Sequence, residues 1–235
     1  MTDHFQRIYQ NQADLYDALV SREDYQGNLL PIIAAIHPLN KAHVVEFGAG
    51  TGRLTRLLAP LVKSIHAYDL HAHMLETAHK TLEKTGLTNW RLEVGDNRQM
   101  PVPSASADIA IAGWSFGHTT GWYPETWQQE AGLMVNELLR VVKPGGAAII
   151  IETMGTGNKT PKPPNARLAA YYDWLEQQRA FDYSWTRTDY KFESVEEADQ
   201  LIRFFFGDAL ADVVVREQVT IVPECTGIWW QEVRP

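Results

Sequence analysis

The sequence predicts an α/β protein built on a doubly wound parallel sheet, and three observations support this fold class. Residues 43–47 form a short apolar run, typical of a strand buried on both faces of a parallel sheet. A glycine-rich turn follows, and after it come leucines at helical spacing, Leu54, Leu57, Leu58 and Leu61. The alternation of strand and helix then recurs, with two βαβ units before the middle of the chain and two after it.

Composition restricts the class of protein. The chain has 235 residues, of which 45% are hydrophobic, so it can form one domain with a sizeable core and is not disordered. No apolar run approaches the length of about 18 residues that spans a membrane. The first residues lack the basic and then apolar profile of a secretory signal, and Cys225 is the single cysteine. We therefore expect a reduced, cytoplasmic setting with no disulfide and no metal site.

The charge balance argues against a nucleic-acid partner. The formal net charge is −8 and no run of lysine and arginine occurs, whereas proteins that bind duplexes usually carry a basic patch. We expect neither nucleic acid nor membrane among the partners, and a monomer or a homodimer.

The glycine-rich turn carries the main functional signal. Gly48, Gly50 and Gly52 have the spacing G-x-G-x-G, one residue tighter than the dinucleotide-binding G-x-G-x-x-G. Glu46 stands two positions before the first glycine, where its carboxylate would repel a pyrophosphate but suit a ligand with an ammonium group. A turn that is merely tightly packed is the alternative.

Polar residues follow the next predicted strands, at the edge where open α/β sheets bind ligands. Asp69 ends the second strand, where an acid can accept hydrogen bonds from ribose hydroxyls; alternatively, it caps the following helix. Asp96 and Asn97 follow the third strand and could equally form a simple turn. His118 is the nearest titratable group after the fourth strand and could act as a general base, with a plain surface histidine as the alternative.

The segment from Glu46 to Gly52 resembles the first motif of the class I S-adenosylmethionine-dependent methyltransferases, an acidic residue followed by G-x-G-x-G. The run 138–146 also resembles this family, and the resemblance covers residues 44–153. It implies a Rossmann-like, doubly wound sheet of seven strands, mostly parallel with one antiparallel strand, with helices on both faces. It also implies S-adenosyl-L-methionine as the cofactor, bound without any phosphate contact.

The resemblance implies roles for the residues that match the family's motifs. The glycine loop wraps the methionine part of the cofactor, Asp69 binds the ribose hydroxyls, and Asp96 lies next to the adenine amino group. Trp114 and Ser115 line the cofactor or the methyl channel. The implied cofactor-binding set is Glu46, Gly48, Ala49, Gly50, Gly52, Asp69, Leu70, Asp96, Asn97, Trp114 and Tyr16.

The chain is expected to have three parts. Residues 1–40 form an N-terminal helical lid, with helices at 4–24 and 29–36; plain packing of amphipathic helices is the alternative. Residues 41–235 form the methyltransferase domain, in which 154–192 is an aromatic-rich insertion on the substrate side. An extra helix packed on the sheet is the alternative for this insertion.

Periodicity and turn residues predict the remaining elements. Strands are expected at 64–70, 90–94, 107–113, 147–153, 181–192 and 219–233. Helices are expected at 71–85, 125–142 and 165–180, the second of them ending at 143–146, where proline and glycine cannot continue it. A loop is expected at 154–165, and a last helix from the capping box Ser194–Glu197 through Leu210.

The leading functional hypothesis is methyl transfer from S-adenosylmethionine to a small-molecule acceptor, with an O, N, S or C nucleophile. The sulfonium is already an activated leaving group, so the main task of the protein is in-line positioning. If the acceptor is an alcohol or a phenol, His118, Tyr16 or Glu152 could serve as a base. Two alternatives remain: a regulatory protein that binds the cofactor without turnover, and a nicotinamide-dependent oxidoreductase, which the glycine spacing disfavours.

Overall fold

The computed structural model describes residues 7–9 and 11–234, and a seven-stranded sheet lies at its centre. Its strands are β1 (His43–Phe47), β2 (Ser64–Asp69), β3 (Trp90–Val94), β4 (Ala107–Gly113), β5 (Val142–Thr156), β6 (Asp182–Arg187) and β9 (Glu224–Glu232). They lie in the order β3-β2-β1-β4-β5-β9-β6. β9 runs antiparallel to both of its neighbours, and the remaining pairings are parallel. The predicted mostly parallel sheet with one antiparallel strand is confirmed.

Helices and a small second sheet complete the described part of the chain. The helices are α1 (Ala13–Val20), α2 (Leu29–Ile36), α3 (Arg53–Leu58), α4 (Ala72–Glu83), α5 (Thr119–Trp122), α6 (Trp127–Val141), α7 (Ala166–Gln177), α8 (Val195–Phe206) and α9 (Asp208–Glu217). A single 3₁₀ turn, Phe116–His118, precedes α5. The second sheet pairs β7 (Tyr190–Lys191) with β8 (Ile221–Val222).

The alternation of side chains along the strands divides the core into two layers. Val45 and Ile150 point to the face that α6 and α7 cover, whereas Val44 and Ile149 point to the face that α2 and α3 cover. Helices therefore lie on both faces, and the central strands read as continuous apolar runs because both of their faces are buried.

The strand predicted at 147–153 begins earlier, at Val142, because residues 143–146 also belong to β5. α6 ends at Val141 and β5 begins at the next residue, with an irregularity in its register against β4. Gly145 takes a φ of +83°, and a Cβ on Gly146 would lie 2.5 Å from the carbonyl oxygen of Asp108. The two glycines thus let the chain stay paired through a bulge. β5 also extends to Thr156, into the segment for which the sequence predicts a loop.

The single strand expected at 181–192 is instead two strands in different sheets. β6 ends at Arg187, and the chain then turns toward the loop between α1 and α2, where the carbonyl of Thr188 accepts from the N–H of Asp24 at 3.2 Å. Asp189 holds this turn, since its Oδ1 accepts from the N–H of Glu224 at 3.0 Å.

The helix expected to reach Leu210 is two helices. The capping box begins α8 as predicted, because Ser194 Oγ accepts from the N–H of Glu197 at 3.2 Å. α8 then ends at Phe206, since Gly207 takes a φ of +89°, which a helix cannot continue, and Leu210 falls in α9.

The N-terminal segment packs against the sheet domain at α4 and α8. Residues 7–9 and α1 are helical, as predicted, but the chain departs from helical geometry at Gln12, with a φ of −133°. The parts of the predicted helix 4–24 and of the predicted lid 1–40 at residues 1–6 and 10 lie outside the described residues.

Residues 154–192 supply α7 and the edge strand β6 of the main sheet. The aromatic side chains of α7 enter the core: Tyr171, Tyr172 and Trp174 are buried, and Tyr172 stacks on Trp229 with ring centroids 4.6 Å apart. Whether this segment selects a substrate remains a prediction.

Candidate cofactor and active site

A cavity of about 200 Å³ lies at the carboxyl ends of β1, β2, β3 and β4. The chain passes from β1 outward to β2 and β3 and then returns to place β4 on the other side of β1. Open α/β sheets bind ligands at such a switch in strand order. Every residue that the sequence singles out for this site lines the cavity, with the exceptions of Gly52 and Glu152.

The three loop glycines meet different surroundings. A Cβ on Gly48 would lie 2.5 Å from Ser115 Cβ, so the loop can approach the end of β4 only without a side chain there. At Gly50, with a φ of +54°, the closest atoms to such a Cβ would be in Met74 and Tyr16, at 3.7 and 3.8 Å. Gly52 instead faces α4, where its Cβ would lie 3.0 Å from Ala78 Cβ. Gly50 thus faces the cavity, where an added Cβ would be in ordinary contact with Met74 and Tyr16, whereas Gly52 permits helix packing.

The Asp69 carboxylate is fixed by main-chain N–H groups. Its Oδ2 accepts from Gly50 at 2.8 Å, and its Oδ1 accepts from His71 at 2.8 Å. The carboxylate therefore joins the glycine loop to the end of β2 and keeps one orientation. The alternative role as a helix cap is not seen, since His71 is the N-cap of α4 and no side chain makes a capping bond there.

Glu46 is a buried carboxyl group in the wall of the cavity. Only 2% of it is exposed, and Thr55 Oγ1 donates a hydrogen bond to its Oε2 at 2.5 Å. Burial raises the pKa of Glu46 to about 8; the Thr55 hydrogen bond opposes this shift, and the charge of Asp69 adds to it. A cation placed in the cavity would favour the ionised form and lower this pKa again.

The two polar residues after β3 differ in their partners. Arg98 holds Asp96 through several hydrogen bonds, the shortest from Nη2 to Oδ2 at 2.6 Å, and this contact lowers the pKa of Asp96. Asn97 Oδ1 is buried and has no hydrogen-bond partner among the described residues. An orphan amide oxygen in a ligand cavity is suited to accept from a ligand amino group. Leu70 and Val94 leave apolar surface nearby, each more than half exposed.

His118 lies at the aromatic end of the cavity. Its Nε2 is 3.0 Å from the hydroxyl oxygen of Tyr9, and its ring stacks on Trp122 with centroids 4.9 Å apart. Burial lowers the pKa of His118 to about 4, against the opposing effects of a hydrogen bond with the Trp114 main chain and of the Asp69 charge. The imidazole is therefore neutral at neutral pH and engaged with Tyr9.

The other two candidate bases differ in their access to the cavity. Tyr16 lines it and packs edge-on against Tyr9, with ring centroids 5.5 Å apart. Glu152 is buried behind the 3₁₀ turn, where its Oε1 accepts from the N–H of Gly117 at 2.8 Å, and burial raises its pKa to about 8. It does not line the cavity.

Several cavity residues are absent from the predicted set, namely Tyr9, Arg53, Met74 and Trp122. Arg53 directly follows the glycine motif, and this position is the one signal in the sequence that could have identified it. The partners of Tyr9 are remote in sequence, as its contact with His118 spans 109 positions.

Two searches of residues 7–9 and 11–234 were negative. No group of three or more His, Cys, Asp or Glu side chains is arranged to hold a metal ion. No helix in the described ranges has the length and apolar character required to cross a bilayer.

Comparison with known sequences shows that part of this chain is similar to methyltransferases. A family model for the methyltransferase domain matches residues 44–146, from β1 to the beginning of β5. Uncharacterized protein YafE of Escherichia coli K12 is 32% identical over 47% of this chain and 49% of its own length. An uncharacterized methyltransferase of Anoxybacillus flavithermus is 27% identical over 65% of this chain and 69% of its own. The chain thus spans about half the length of the first relative and about two thirds of the second.

Solved structures share the fold at low sequence identity. The cyclase SpnF matches 100% of this chain and 97% of its own, with a TM-score of 0.64 and 17% identity. Phosphoethanolamine N-methyltransferase 2 of Haemonchus contortus, solved with S-adenosyl-L-methionine, matches 98% of this chain and 59% of its own, with a TM-score of 0.59 and 17% identity. At such identities the likeness concerns the fold, which can carry different reactions.

Proposed function

We propose that this chain is a class I S-adenosylmethionine-dependent methyltransferase, with S-adenosyl-L-methionine as its cofactor, and that it methylates a small molecule; the match of residues 44–146 to the methyltransferase domain supports this. The observation that carries the proposal is the arrangement of the cavity. It brings together the glycine loop, the Asp69 carboxylate and the unpartnered Asn97 amide oxygen, one for each part of the cofactor.

The donors and acceptors in the cavity fit the three parts of this cofactor. Glu46 suits the ammonium group of the amino-acid tail, and the absence of a side chain at Gly50, which lines the cavity, suits the close approach of that tail. Asp69 keeps lone pairs for ribose hydroxyls, since each carboxylate oxygen has about two acceptor sites. Asn97 Oδ1 and the exposed surface of Leu70 suit the amino group and the flat face of adenine.

The contribution of the protein to the reaction is mainly positional. The bound sulfonium supplies an activated methyl group. The loop at 48–52 and the end of β4 at Trp114 and Ser115 hold the reacting groups in line and exclude water. Such positioning can supply roughly 7 to 11 kcal/mol of a barrier.

His118 is the proposed base for an acceptor that must lose a proton, although its environment restricts that role. A base with a pKa of about 4 is weak at neutral pH, and its Nε2 is 3.0 Å from the Tyr9 hydroxyl. His118 therefore suits an acceptor whose nucleophile holds its proton only weakly, and an acceptor that is already ionised would need no base. The aromatic end of the cavity, with Tyr9, Tyr16 and Trp122, favours a small planar or apolar acceptor.

Calorimetry tests the cofactor site. S-Adenosylmethionine should bind the purified protein, and Asp69→Ala and Gly50→Val should each weaken binding by about 100-fold or more, since each removes or blocks a direct contact. Unchanged binding by both variants would remove the assigned site. A titration with NAD tests the oxidoreductase alternative, which requires NAD to bind. Quenching of tryptophan fluorescence would report that binding.

A methyl-release assay over a panel of small molecules tests the reaction. Turnover of any acceptor by the wild-type protein, together with loss of that turnover in Asp69→Ala, supports the proposal that the protein is an enzyme. Cofactor binding without turnover over a wide panel would favour a regulatory protein.

A further inference from the structure

Arg53 is a cationic side chain in the cavity wall to which the family motif gives no role. It is the first residue of α3, directly after the glycine loop, and it lines the cavity. Its guanidinium carbon lies 3.9 Å from the ring centroid of Trp114, so the planar group is stacked on that ring. The orientation of the guanidinium group is therefore fixed at the junction of the loop and the end of β4.

The two terminal nitrogens of Arg53 have different partners. Nη1 donates to Glu23 Oε2 at 2.6 Å. Nη2 is buried and has no hydrogen-bond partner among the described residues. A buried guanidinium N–H without an acceptor is rare in native proteins, because its hydration is lost without replacement. An orphan donor of this kind, in the wall of a ligand cavity, indicates that a ligand supplies the acceptor.

We propose that Arg53 Nη2 binds a carboxylate, and that this carboxylate is the one on the amino-acid tail of the cofactor. The inference rests on the proposed function, because that tail carries an ammonium and a carboxylate on one carbon. Glu46 and Arg53 line the same cavity at the two ends of the glycine loop. An acid for the ammonium and an arginine for the carboxylate match a zwitterion group by group.

Neighbouring contacts keep Arg53 available for this role. Glu23 is itself fixed, since its Oε2 also accepts from the Tyr190 hydroxyl at 2.8 Å and its Oε1 accepts from Thr188 at 2.9 Å. Tyr16, on α1, also lines the cavity, and its ring lies 3.8 Å from the position that a Cβ on Gly50 would take. A carboxylate at Nη2 would be shielded from water there, where a charge-assisted hydrogen bond is strong.

Calorimetry with two matched ligands tests this assignment. S-Adenosylmethionine and its decarboxylated analogue differ only in the carboxylate, and both retain the ammonium, the sulfonium and the nucleoside. The wild-type protein should bind S-adenosylmethionine about 10- to 100-fold more tightly than the analogue, the range expected for one charged hydrogen bond. In Arg53→Gln that advantage should disappear, with the affinity for the analogue unchanged.

Arg56→Gln is the matched control. Arg56 is on the same helix and, like Arg53, pairs with an acid of the N-terminal segment, Asp17 at 2.9 Å, but it does not line the cavity. Arg56→Gln should therefore change the affinities for S-adenosylmethionine and for its decarboxylated analogue by the same factor. If Arg53→Gln does not fold, as judged by circular dichroism, Arg53→Lys keeps the charge and should retain part of the preference for the carboxylate.

The other outcomes are distinguishable. If Arg53→Gln weakens the affinity for S-adenosylmethionine and for its decarboxylated analogue by equal factors, the inference is overturned. Arg53 would then have only its contacts with Glu23 and Trp114. No binding of either ligand to the wild-type protein would overturn the proposed function itself. The alternative is that Arg53 binds a carboxylate of the methyl acceptor. Benzoate, titrated into protein saturated with S-adenosylhomocysteine, tests this alternative. If Arg53→Gln abolishes benzoate binding but leaves the affinity for S-adenosylmethionine unchanged, the inference that Arg53 binds the cofactor tail is overturned.

Discussion

The two walls of the cavity are built in different ways. The strand-end wall, made of the glycine loop and Asp69, is held by contacts between residues close in sequence, such as Gly50 with Asp69 and Glu46 with Thr55. The N-terminal wall, made of residues 7–9 and 11–25, is held by contacts between remote residues.

The difference separates two kinds of function. A wall formed by local contacts keeps its shape with the sheet, so its residues should determine cofactor affinity. A wall joined to the domain by a few remote polar contacts should determine stability and access to the site, because each contact orders more of the chain. Substitutions that change cofactor affinity but not stability, or stability but not cofactor affinity, can therefore test this comparison of the two walls.

The largest effect is expected at Glu23, the residue that ties the N-terminal wall to the domain. Its side chain is buried and accepts from Arg53, Thr188 and Tyr190. Glu23→Gln would leave the Arg53 charge without its carboxylate, and breaking a buried ion pair costs about 3 to 5 kcal/mol. Urea unfolding should show a loss of this size.

Glu193→Gln provides the control for Glu23→Gln. Glu193 also pairs with an arginine of the N-terminal wall, Arg22 at 2.8 Å, but 76% of its side chain is exposed. An exposed pair contributes about 0 to 1 kcal/mol. Equal losses of unfolding free energy in the two variants would contradict the special role of Glu23.

The same division explains what could be predicted from the sequence. The fold class and the strand-end residues were accessible, because strand, glycine loop and acid follow each other within a short segment, and periodicity marks each element. Tyr9 and the Glu23 network were not accessible as site residues, because His118, Thr188 and Tyr190, their partners, lie more than a hundred positions away and only tertiary packing brings them together. Similarly, the bulge at 143–146 depends on pairing with β4, which local turn residues do not reveal.

Two loop glycines should separate affinity from stability. Both Gly50 and Gly52 have positive φ, so alanine at either position carries strain of about 1 to 2 kcal/mol. Gly50→Ala also adds a methyl group at the cavity, whereas Gly52→Ala pushes its Cβ to 3.0 Å from Ala78 Cβ. Calorimetry should show that Gly50→Ala loses more affinity for S-adenosylmethionine than Gly52→Ala does. Urea denaturation should show that Gly52→Ala loses more unfolding free energy than Gly50→Ala does. A larger affinity loss for Gly52→Ala would give that residue a role at the cofactor.

Glu46 should make cofactor binding release a proton. Its pKa is about 8 in the free protein, so it is mostly protonated at pH 7, and an adjacent ammonium would lower the pKa and drive the proton off. Calorimetry at pH 7 in buffers of different ionisation enthalpy should detect nearly one proton per complex. Glu46→Gln should abolish most of this release; a release that persists in the variant would place the ammonium elsewhere.

The same group gives the free protein a pH-dependent stability. Because burial raises the Glu46 pKa from 4.5 to about 8 on folding, the folded state binds the extra proton between these values. Stability should therefore fall as pH rises from about 4.5 to 8 and level off above that. Glu152 and Glu224, whose pKa values are also about 8, contribute in the same direction. The difference between wild type and Glu46→Gln isolates Glu46; a difference that does not change with pH would contradict its shift.

The smallest effect is expected at Tyr9, on the N-terminal wall. Tyr9→Phe removes the hydroxyl that lies 3.0 Å from His118 Nε2, a single neutral hydrogen bond worth about 1 kcal/mol of stability. A donor at Nε2 favours the neutral imidazole, so its loss should raise the pKa of His118 from about 4, though not to 6.5, because burial persists. An NMR titration of the His118 ring measures this change, and Tyr25→Phe, at an exposed tyrosine of the same segment, is the control. An unchanged or lower pKa in Tyr9→Phe would mean that the N-terminal wall does not set the protonation of the candidate base.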